Sequence, residues 1–481
     1  MNRKMVFYTI GRILLLEGAL LALPLAVSVY YWDGGQLPLL LTIALSLGLG
    51  LLFIKLFRPD SQVIYAREGF LITGLTWVIV SALGALPFVL SGEIPSYVDA
   101  FFETVSGFTT TGASILTNVE SMSRSMLFWR SFTHWIGGMG VLVLMVAVMP
   151  NLSGRTIHIL RAEMPGPTMG KLSPKLADTA KLLYLIYIAL TLLELFLLFA
   201  GGMPLYDSAV HTFGTAGTGG FGIKADSVAG YSPYLQWVIA VFMMLFGLNF
   251  NIFFLLLMRR FRAAFQSEEL WAYVGIVFGS TALICWNIRP LFSSFSESLR
   301  QAFFQVTTIS STTGYSTADF NTWPTLSRMI LVLLMFIGAC AGSTAGGLKV
   351  SRLVLLLKNY RQVVRHLLHP RAVTATRFEG KPVDSSTLTS VNNYFALYIG
   401  LFVGFWFLVS FQPGYDGVSN FTAVAACYNN IGPGLNLVGP AANYAGYAPF
   451  FKVLLSFAML FGRLELYPML ISLSPGVWMK K

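Results

Sequence analysis

The chain has little charge: only 11% of its 481 residues are Asp, Glu, Lys or Arg. Soluble domains carry about 25% charged residues, so a soluble globular protein is excluded.

Cysteines are also few. Cys285, Cys340 and Cys427 lie far apart in or near apolar segments, which excludes a disulfide scaffold and zinc-binding spacing and predicts small buried side chains. The sequence has no phosphate-binding glycine loop, so any energy from ATP must act through a partner.

What the chain has in abundance is apolar sequence, with 55% hydrophobic residues in long runs. Runs of about 20 residues can cross a bilayer, so the pattern predicts an all-α polytopic membrane protein. We interpret the N-terminal run as a retained span rather than a signal peptide. If the N-terminus is cytoplasmic and the spans alternate, 22 of the 32 basic residues lie inside and 6 outside. The positive-inside rule then explains the net charge of +11 without nucleic acid.

Four short motifs that each end in glycine recur about once per hundred residues. They occupy residues 109–112, 217–220, 311–314 and 429–432, and the first and third contain Thr-Thr-Gly. The sequence before each glycine also matches by position, since Phe101, Phe303 and Phe421 hold the same offset. One Thr-Thr-Gly alone is typical of an ordinary turn. Four copies at matching offsets indicate an internal repeat.

Each motif follows an apolar segment that is too short to cross a membrane. These predicted half-helices are 98–108, 206–214, 298–309 and 418–427. Each half-helix lies between two full spans. In chain order the pairs of spans are 69–91 with 126–149, 179–201 with 234–258, 270–288 with 325–357, and 390–411 with 447–471. A further pair at 8–31 and 37–57 precedes them at the N-terminus. The pattern predicts four pseudo-symmetric helix, pore-helix, filter-loop, helix repeats around a central pore, plus an N-terminal two-helix hairpin.

We divide the chain accordingly into five parts. They are the hairpin (1–60), repeat 1 (61–150), a cytoplasmic connector with repeat 2 (151–264), repeat 3 with an intramembrane gating loop and a second cytoplasmic connector (265–388), and repeat 4 (389–481).

The glycine motifs predict an ion filter. Bare backbone at membrane depth is tolerated only where it is buried in protein or lines a watery cavity, so the four loops are expected to converge on one axis. Their carbonyl oxygens can then replace the hydration shell of a monovalent cation. The predicted filter residues are Thr110, Thr111, Gly112, Thr218, Gly219, Gly220, Thr312, Thr313, Gly314, Asn430, Ile431 and Gly432. Nothing supplies the carboxylate rings expected of a divalent-cation filter.

A run of ten small residues, 338–347, interrupts the second span of repeat 3. Small residues favour close helix contacts in membranes, but ten of them with four glycines make a poor helix. We therefore expect an unwound loop that plugs the pore as a gate. The predicted gate residues are Gly338, Gly342, Ser343, Thr344, Gly346, Gly347, Lys349 and Arg463.

Two of these gate residues have an alternative interpretation. Arg463 is a charge inside the last span, which is costly and suggests function. It either pairs locally with Glu465 or lies beside the pore, where it contacts the gating loop and opposes cations. Lys349 either belongs to the gate or extends to the inner membrane surface.

Several motifs together resemble one known family. They are 106–113 (SGFTTTGA), 135–140 (WIGGMG), 161–167 (RAEMPGP), 340–350 (CAGSTAGGLKV), 429–435 (NNIGPGL) and 462–465 (GRLE). The chain resembles the Trk/Ktr/HKT superfamily of potassium transporters over nearly its whole length, most closely the bacterial TrkH branch. The EMPGP connector and the extra N-terminal hairpin favour that branch.

The resemblance implies a gated, potassium-selective pore in the bacterial cytoplasmic membrane, with both termini cytoplasmic. It implies a homodimer that is regulated by a cytosolic ring of TrkA-like nucleotide-binding subunits. Glycine at all four filter positions implies preference for potassium, whereas serine in the first loop marks sodium-permeable relatives; Gly112 is glycine here. The implied partners are potassium, the lipid bilayer and the regulatory ring, with no nucleic acid and no organic cofactor.

Three other functions are ranked lower. A cation symporter coupled to a proton or sodium gradient is the main alternative. A secondary transporter with a midplane substrate site would require inverted repeats and acidic residues within the membrane, whereas the repeats are parallel and such acids scarce. An intramembrane enzyme has only His134 and His211 near the filter loops, without a paired acid, nucleophile or metal spacing. We therefore do not expect an enzyme.

Overall fold

The computed structural model describes residues 2–60, 64–140, 176–371 and 375–478. The regular structure in these ranges is helical apart from one two-stranded ribbon. Within them, six helices are long and apolar enough to cross a membrane, or seven if one bent pair counts as a single span. Large apolar side chains such as Leu185, Phe196 and Leu283 lie on the outer helices and are more than half exposed. Exposed apolar surface of that kind suits contact with lipid.

The N-terminal hairpin consists of α1 (Arg3–Leu20), α2 (Ala22–Tyr31) and α3 (Gln36–Leu56). Helices α1 and α3 approach closely where Gly11 faces Gly50. A Cβ atom on either glycine would lie within 3 Å of the other glycine's carbonyl oxygen. Small residues allow such close helix packing in membranes.

Repeat 1 contains α4 (Ala66–Gly84), α5 (Leu86–Leu90), the half-helix α6 (Tyr97–Phe108) and α7 (Arg124–Gly138). The Ser96 side chain accepts a hydrogen bond from the Asp99 backbone N–H at 3.4 Å and so caps α6. Residues 141–149 of the predicted span 126–149 lie outside the described residues, and so does the connector motif 161–167.

Repeat 2 contains α8 (Leu176–Ala200), the half-helix α9 (Leu205–Ala216), α10 (Pro233–Phe246), α11 (Phe250–Leu257) and α12 (Phe261–Phe265). The prediction of one continuous span at 234–258 is wrong, because α10 and α11 meet at an angle of 93°. The break is stabilised by Asn249, whose side chain accepts a hydrogen bond from the Asn251 N–H at 2.9 Å and caps α11.

Repeat 3 contains α13 (Glu268–Ile288), the half-helix α14 (Phe295–Ser310), α15 (Thr325–Phe336) and α16 (Val350–Leu368). Residues 337–349 between α15 and α16 are not helical, as their small-residue composition predicts. An antiparallel ribbon of β1 (Arg377–Phe378) and β2 (Lys381–Pro382) follows.

Repeat 4 contains α17 (Ser385–Val409), the half-helix α18 (Gly417–Tyr428), α19 (Pro449–Arg463), α20 (Tyr467–Leu473) and the terminal turn α21 (Pro475–Trp478). The predicted span 447–471 is also broken, because Glu465 and Leu466 have positive φ angles of 55° and 67°. Breaks in the return helix are therefore not confined to repeat 3, contrary to the sequence interpretation. Among repeats 2, 3 and 4, whose return helices are described throughout, repeat 3 has the longest inserted segment, residues 337–349.

The four half-helices form the buried centre of the molecule, with 12, 12, 16 and 12 residues. At 1.5 Å per residue they are roughly 18–24 Å long, which is too short to cross a bilayer. The longer helices surround them. This architecture confirms the predicted class, an all-α polytopic membrane protein of four repeats with an N-terminal hairpin. The exact boundaries of the five parts remain predictions.

Candidate functional site

The four filter loops share one backbone conformation. In each loop the final glycine has a positive φ: 78° at Gly112, 74° at Gly220, 88° at Gly314 and 97° at Gly432. The residue two positions earlier is also left-handed: Thr110, Thr218, Thr312 and Asn430 have φ between 56° and 58°. Each such non-glycine residue costs about 1–3 kcal/mol and persists only where the surroundings impose it. The same strained conformation at four equivalent positions shows that the four loops are structural repeats of one another.

The loops close into a ring in the order of the repeats. A Cβ atom on Gly112 would lie within 3 Å of the Gly219 carbonyl oxygen in the next loop. The same holds for Gly220 against Thr313, for Gly314 against Ile431, and for Gly432 against Thr111. Each glycine therefore touches the backbone of the following repeat, and the fourth repeat returns to the first. Any side chain at these positions would push the ring apart.

Each loop is tied to its own half-helix by the same hydrogen bond. The N–H groups of Thr111, Gly219, Thr313 and Ile431 donate to the carbonyl oxygen five residues earlier, at 2.8 Å in all four cases. Loop 2 therefore keeps the register of the others. Gly219 in loop 2 occupies the position that Thr111 holds in loop 1 and Thr313 in loop 3.

Side chains from neighbouring repeats support the ring. The Nδ2 of Asn430 donates to Thr111 Oγ1 at 3.0 Å and so joins loop 4 to loop 1. The His134 ring accepts a hydrogen bond at Nε2 from the Phe221 N–H at 3.3 Å. Its Nδ1 therefore carries the proton and donates to the Gly107 carbonyl at 2.7 Å. His134 is a structural bridge between half-helix α6 and the end of loop 2.

All four ring glycines line one cavity. Arg130 also lines it, and its Nε donates to Glu103 Oε1 at 2.6 Å. Both side chains are buried, so the ion pair joins half-helix α6 to the return helix α7 beneath the cavity wall. Arg130 Nη1 donates further to the Gly222 carbonyl at 3.0 Å.

The segment 337–349 is here called the intramembrane loop, and backbone contacts hold its two ends together. Ile337 and Leu348 form a parallel bridge, and the Gly338 N–H donates to the Leu348 carbonyl at 2.8 Å. Gly342 and Gly347 have φ of 69° and 68°, which glycine adopts without steric cost. The small-residue composition therefore serves loop geometry rather than helix contact.

The intramembrane loop lies directly against the ring. The Gly346 N–H donates to Thr312 Oγ1 at 2.8 Å, and a Cβ on Gly346 would lie within 3 Å of the Asn429 carbonyl. The Gly342 carbonyl accepts from the Phe250 N–H at 3.1 Å, and the Cys340 N–H donates to the Gly247 carbonyl at 3.0 Å. The loop therefore contacts filter loops 3 and 4 and the helix break of repeat 2.

Arg463 joins the intramembrane loop to repeat 1. Its guanidinium donates to the carbonyl oxygens of Thr344, Gly137 and Gly138 at 2.6, 2.5 and 2.7 Å. Glu465 instead holds Arg352, whose Nη1 donates to Glu465 Oε1 at 2.9 Å. The geometry therefore favours the interpretation in which Arg463 contacts the loop.

Lys349 does not extend to the membrane surface. It is 2% exposed, and its Nζ turns back to the carbonyl oxygens of Ala345 and Gly346. Lys349, Arg463 and Gly346 line a second cavity of about 610 Å³. Two basic residues thus line this cavity on the side of the intramembrane loop.

Comparison with known proteins gives a consistent result. The family model described as "TrkH: Cation transport protein" matches residues 40–270 and 290–477. The Trk system potassium uptake protein TrkH of Salmonella typhimurium is 36% identical over 99% of this chain and 100% of its own length. The potassium uptake protein TrkG of Escherichia coli is 33% identical over 95% of this chain and 94% of its own.

A solved structure agrees with these relatives. The crystal structure of the potassium transporter TrkH from Vibrio parahaemolyticus superposes with a TM-score of 0.88 at 31% identity, covering 100% of both chains. The chain belongs to the TrkH family of cation transport proteins. It is an integral membrane protein.

For this TrkH-family chain, the sequence analysis missed several residues that hold the site together. Glu103, His134 and Glu269 have hydrogen-bond partners that are 27 or more positions away in sequence. Asn249 caps the helix that follows it, within an uninterrupted apolar stretch. Glu269 looks like an ordinary acidic residue in the first turn of a helix. Nothing in the local sequence indicates that its carboxylate reaches the intramembrane loop.

Proposed function

We propose that this TrkH-family chain takes up potassium through a gated, selective, channel-like pore. The observation that carries the proposal is the closed ring in which each filter glycine touches the backbone of the next repeat. Backbone carbonyls from four sides can replace the hydration shell of a potassium ion. The C-terminal ends of the half-helices precede the ring, and their partial negative charge stabilises a cation there. The relatives' names, potassium uptake proteins, support the same ion.

In this proposal residues 110–112, 218–220, 312–314 and 430–432 form the filter, and the intramembrane loop with Lys349 and Arg463 forms the gate. The gate assignment is supported by the contact of Gly346 with Thr312 and Asn429. The chain acts as a transporter rather than an enzyme, with potassium as its cargo.

The assembly is proposed on the resemblance to the family. The chain is expected to be a homodimer in the bacterial cytoplasmic membrane, with both termini cytoplasmic, and to carry a cytosolic nucleotide-binding ring. Lys358, Arg361 and Arg365 on α16 form part of the basic surface that would then face the cytoplasm. Light scattering of the purified chain tests the dimer, since a monomeric mass in mild detergent would contradict it.

The first experiment is rubidium-86 uptake into proteoliposomes that contain the purified chain, with potassium or sodium as competitor. We expect potassium to block uptake and sodium to block it weakly. Deletion of residues 340–346 should raise uptake without changing that preference. Unchanged uptake by a folded, inserted deletion variant would refute the gate, and equal block by sodium would refute the selective filter.

One observation keeps proton-coupled symport as a second candidate. Glu194 in α8 is fully buried within the protein and has no salt-bridge partner among the described residues; its carboxyl group lies near Thr215 of half-helix α9. An ionisable residue inside the membrane is a functional hypothesis by default. An imposed pH gradient should drive rubidium accumulation under the symport model, and Glu194→Gln should abolish that effect. Uptake that follows only the potassium gradient would contradict symport and support the channel-like model.

A further inference from the structure

Glu269 contacts both ends of the intramembrane loop. Its Oε1 accepts a hydrogen bond from the Ala341 N–H at 2.7 Å and another from the Ser351 N–H at 3.0 Å. Ala341 lies near the start of the loop, and Ser351 lies in the first turn of α16, just after the loop ends. One buried carboxylate oxygen on α13 therefore fixes the loop at its two ends.

The chemistry of these two contacts makes them strong. Hydrogen bonds to an ionised acceptor are roughly twice as strong as neutral ones. The Ser351 N–H is one of the free donors at the N-terminus of α16, where a helix favours a negative charge. Lys349 lies between the two amides in sequence, and its side chain interacts electrostatically with Glu269. Loss of the carboxylate would leave both amides without that acceptor.

The position of Glu269 is itself fixed from the neighbouring β-ribbon. Glu379, at the turn between β1 and β2, accepts hydrogen bonds at Oε1 from Ser267 Oγ at 2.9 Å and from the Glu269 N–H at 3.4 Å. Glu268, the preceding residue on the helix, points elsewhere and pairs with the partly exposed Lys358. Two adjacent glutamates thus have different tasks, and Glu268 provides a matched control.

We propose that Glu269 is the positioning residue that holds the intramembrane loop against the ring, and that release of this carboxylate lets the loop leave. This inference rests on the proposed function, because it treats the loop as the gate. It adds to the gate a residue on a different helix, 72 and 82 positions away from its two partners.

The test uses the full-length chain in proteoliposomes. Glu269→Ala should raise rubidium-86 uptake about tenfold, the effect expected from losing a charge-assisted hydrogen bond, with the potassium-over-sodium preference unchanged. Glu269→Gln keeps an oxygen acceptor and should fall between wild type and Glu269→Ala. Glu268→Ala should match wild type within about twofold, since a partly exposed ion pair contributes little.

A second readout does not depend on ion flux. Cys340 is fully buried in the loop, so in a Cys285→Ser, Cys427→Ala background it reports loop release through its rate of modification by a membrane-permeant maleimide. We expect faster modification in both Glu269 variants and no change in Glu268→Ala. Wild-type modification rates in both Glu269 variants would overturn the proposal.

The two readouts separate two failures. If the 340–346 deletion raises uptake but Glu269→Ala does not, Glu269 does not hold the gate. If the deletion has no effect on uptake while Glu269→Ala still exposes Cys340, the positioning role stands and the gate assignment fails. If Glu269→Ala does not yield monodisperse protein, Glu269→Gln decides both points.

Discussion

At the scale of single residues, the ring depends on glycine for two separate reasons. The first is the left-handed φ, which glycine adopts without penalty. The second is space, because the neighbouring carbonyl occupies the place of a Cβ. Gly92 allows the two reasons to be separated: its φ of 77° is almost that of Gly112, but no atom lies within 4 Å of where its Cβ would be.

The first prediction concerns Gly112→Ser. The new side chain should displace the Gly219 carbonyl and lower the potassium-over-sodium preference by about tenfold, which corresponds to about 1.4 kcal/mol of differential binding. Competition in the rubidium-86 assay measures this. Gly92→Ser imposes similar backbone strain away from the ring and should leave the preference intact. An unaltered preference in Gly112→Ser would argue against the filter.

The second prediction concerns Arg463. Arg463→Ala removes three hydrogen bonds and a positive charge beside the intramembrane loop, so rubidium uptake should rise about tenfold. Arg463→Lys keeps the charge but loses the planar fork that reaches several carbonyls at once. If Arg463→Lys shows the low uptake of the unmodified chain, the positive charge alone closes the pore. If its uptake is as high as that of Arg463→Ala, the hydrogen bonds to Thr344, Gly137 and Gly138 are required.

At the scale of helices and loops, the local parts of the site could be predicted from sequence and the distant contacts could not. Half-helix α6 was expected at 98–108 and occupies Tyr97–Phe108, because its apolar length and the following glycine motif are local signals. The break at Asn249 leaves the apolar character of 234–258 unchanged, so hydropathy does not reveal it. Glu269 and its loop partners are brought together only by the folded chain.

The third prediction concerns the ion pair that fastens half-helix α6 to return helix α7. Glu103→Ala leaves the Arg130 guanidinium buried and unpaired, which costs about 3–5 kcal/mol. The thermal unfolding midpoint in detergent should fall clearly. The Lys4–Asp60 pair is 54% and 87% exposed, so Asp60→Ala should change stability by at most about 1 kcal/mol. Equal midpoints for the two variants would show that the buried pair does not secure the half-helix.

At the scale of the whole molecule, the ring is built jointly by four repeats, each of which supplies one loop. An ion bound in the ring contacts all of them and therefore stabilises the entire fold by mass action. The side chains that support the ring differ from one side to another: Asn430 joins loop 4 to loop 1, and His134 lies between repeats 1 and 2. The four sides are therefore similar in backbone and different in side chains.

The fourth prediction follows from that linkage. Potassium at ten times its dissociation constant should stabilise the folded chain by about 1.4 kcal/mol, seen as a higher unfolding midpoint in potassium chloride than in sodium chloride. Choline chloride at equal ionic strength controls for salt. Gly112→Ser should reduce the difference between potassium and sodium. Identical midpoints in both salts for the unmodified chain would contradict a potassium site in the ring.

The closure of loop 4 on loop 1 also has a consequence for biosynthesis. Thr111 is made about 320 residues before its partners Asn430 and Gly432, so the two sides of this contact are synthesised at different times. A nascent chain that has inserted three repeats therefore has a ring with one side missing and no enclosed path for ions. The ring can therefore close only after loop 4 has been made.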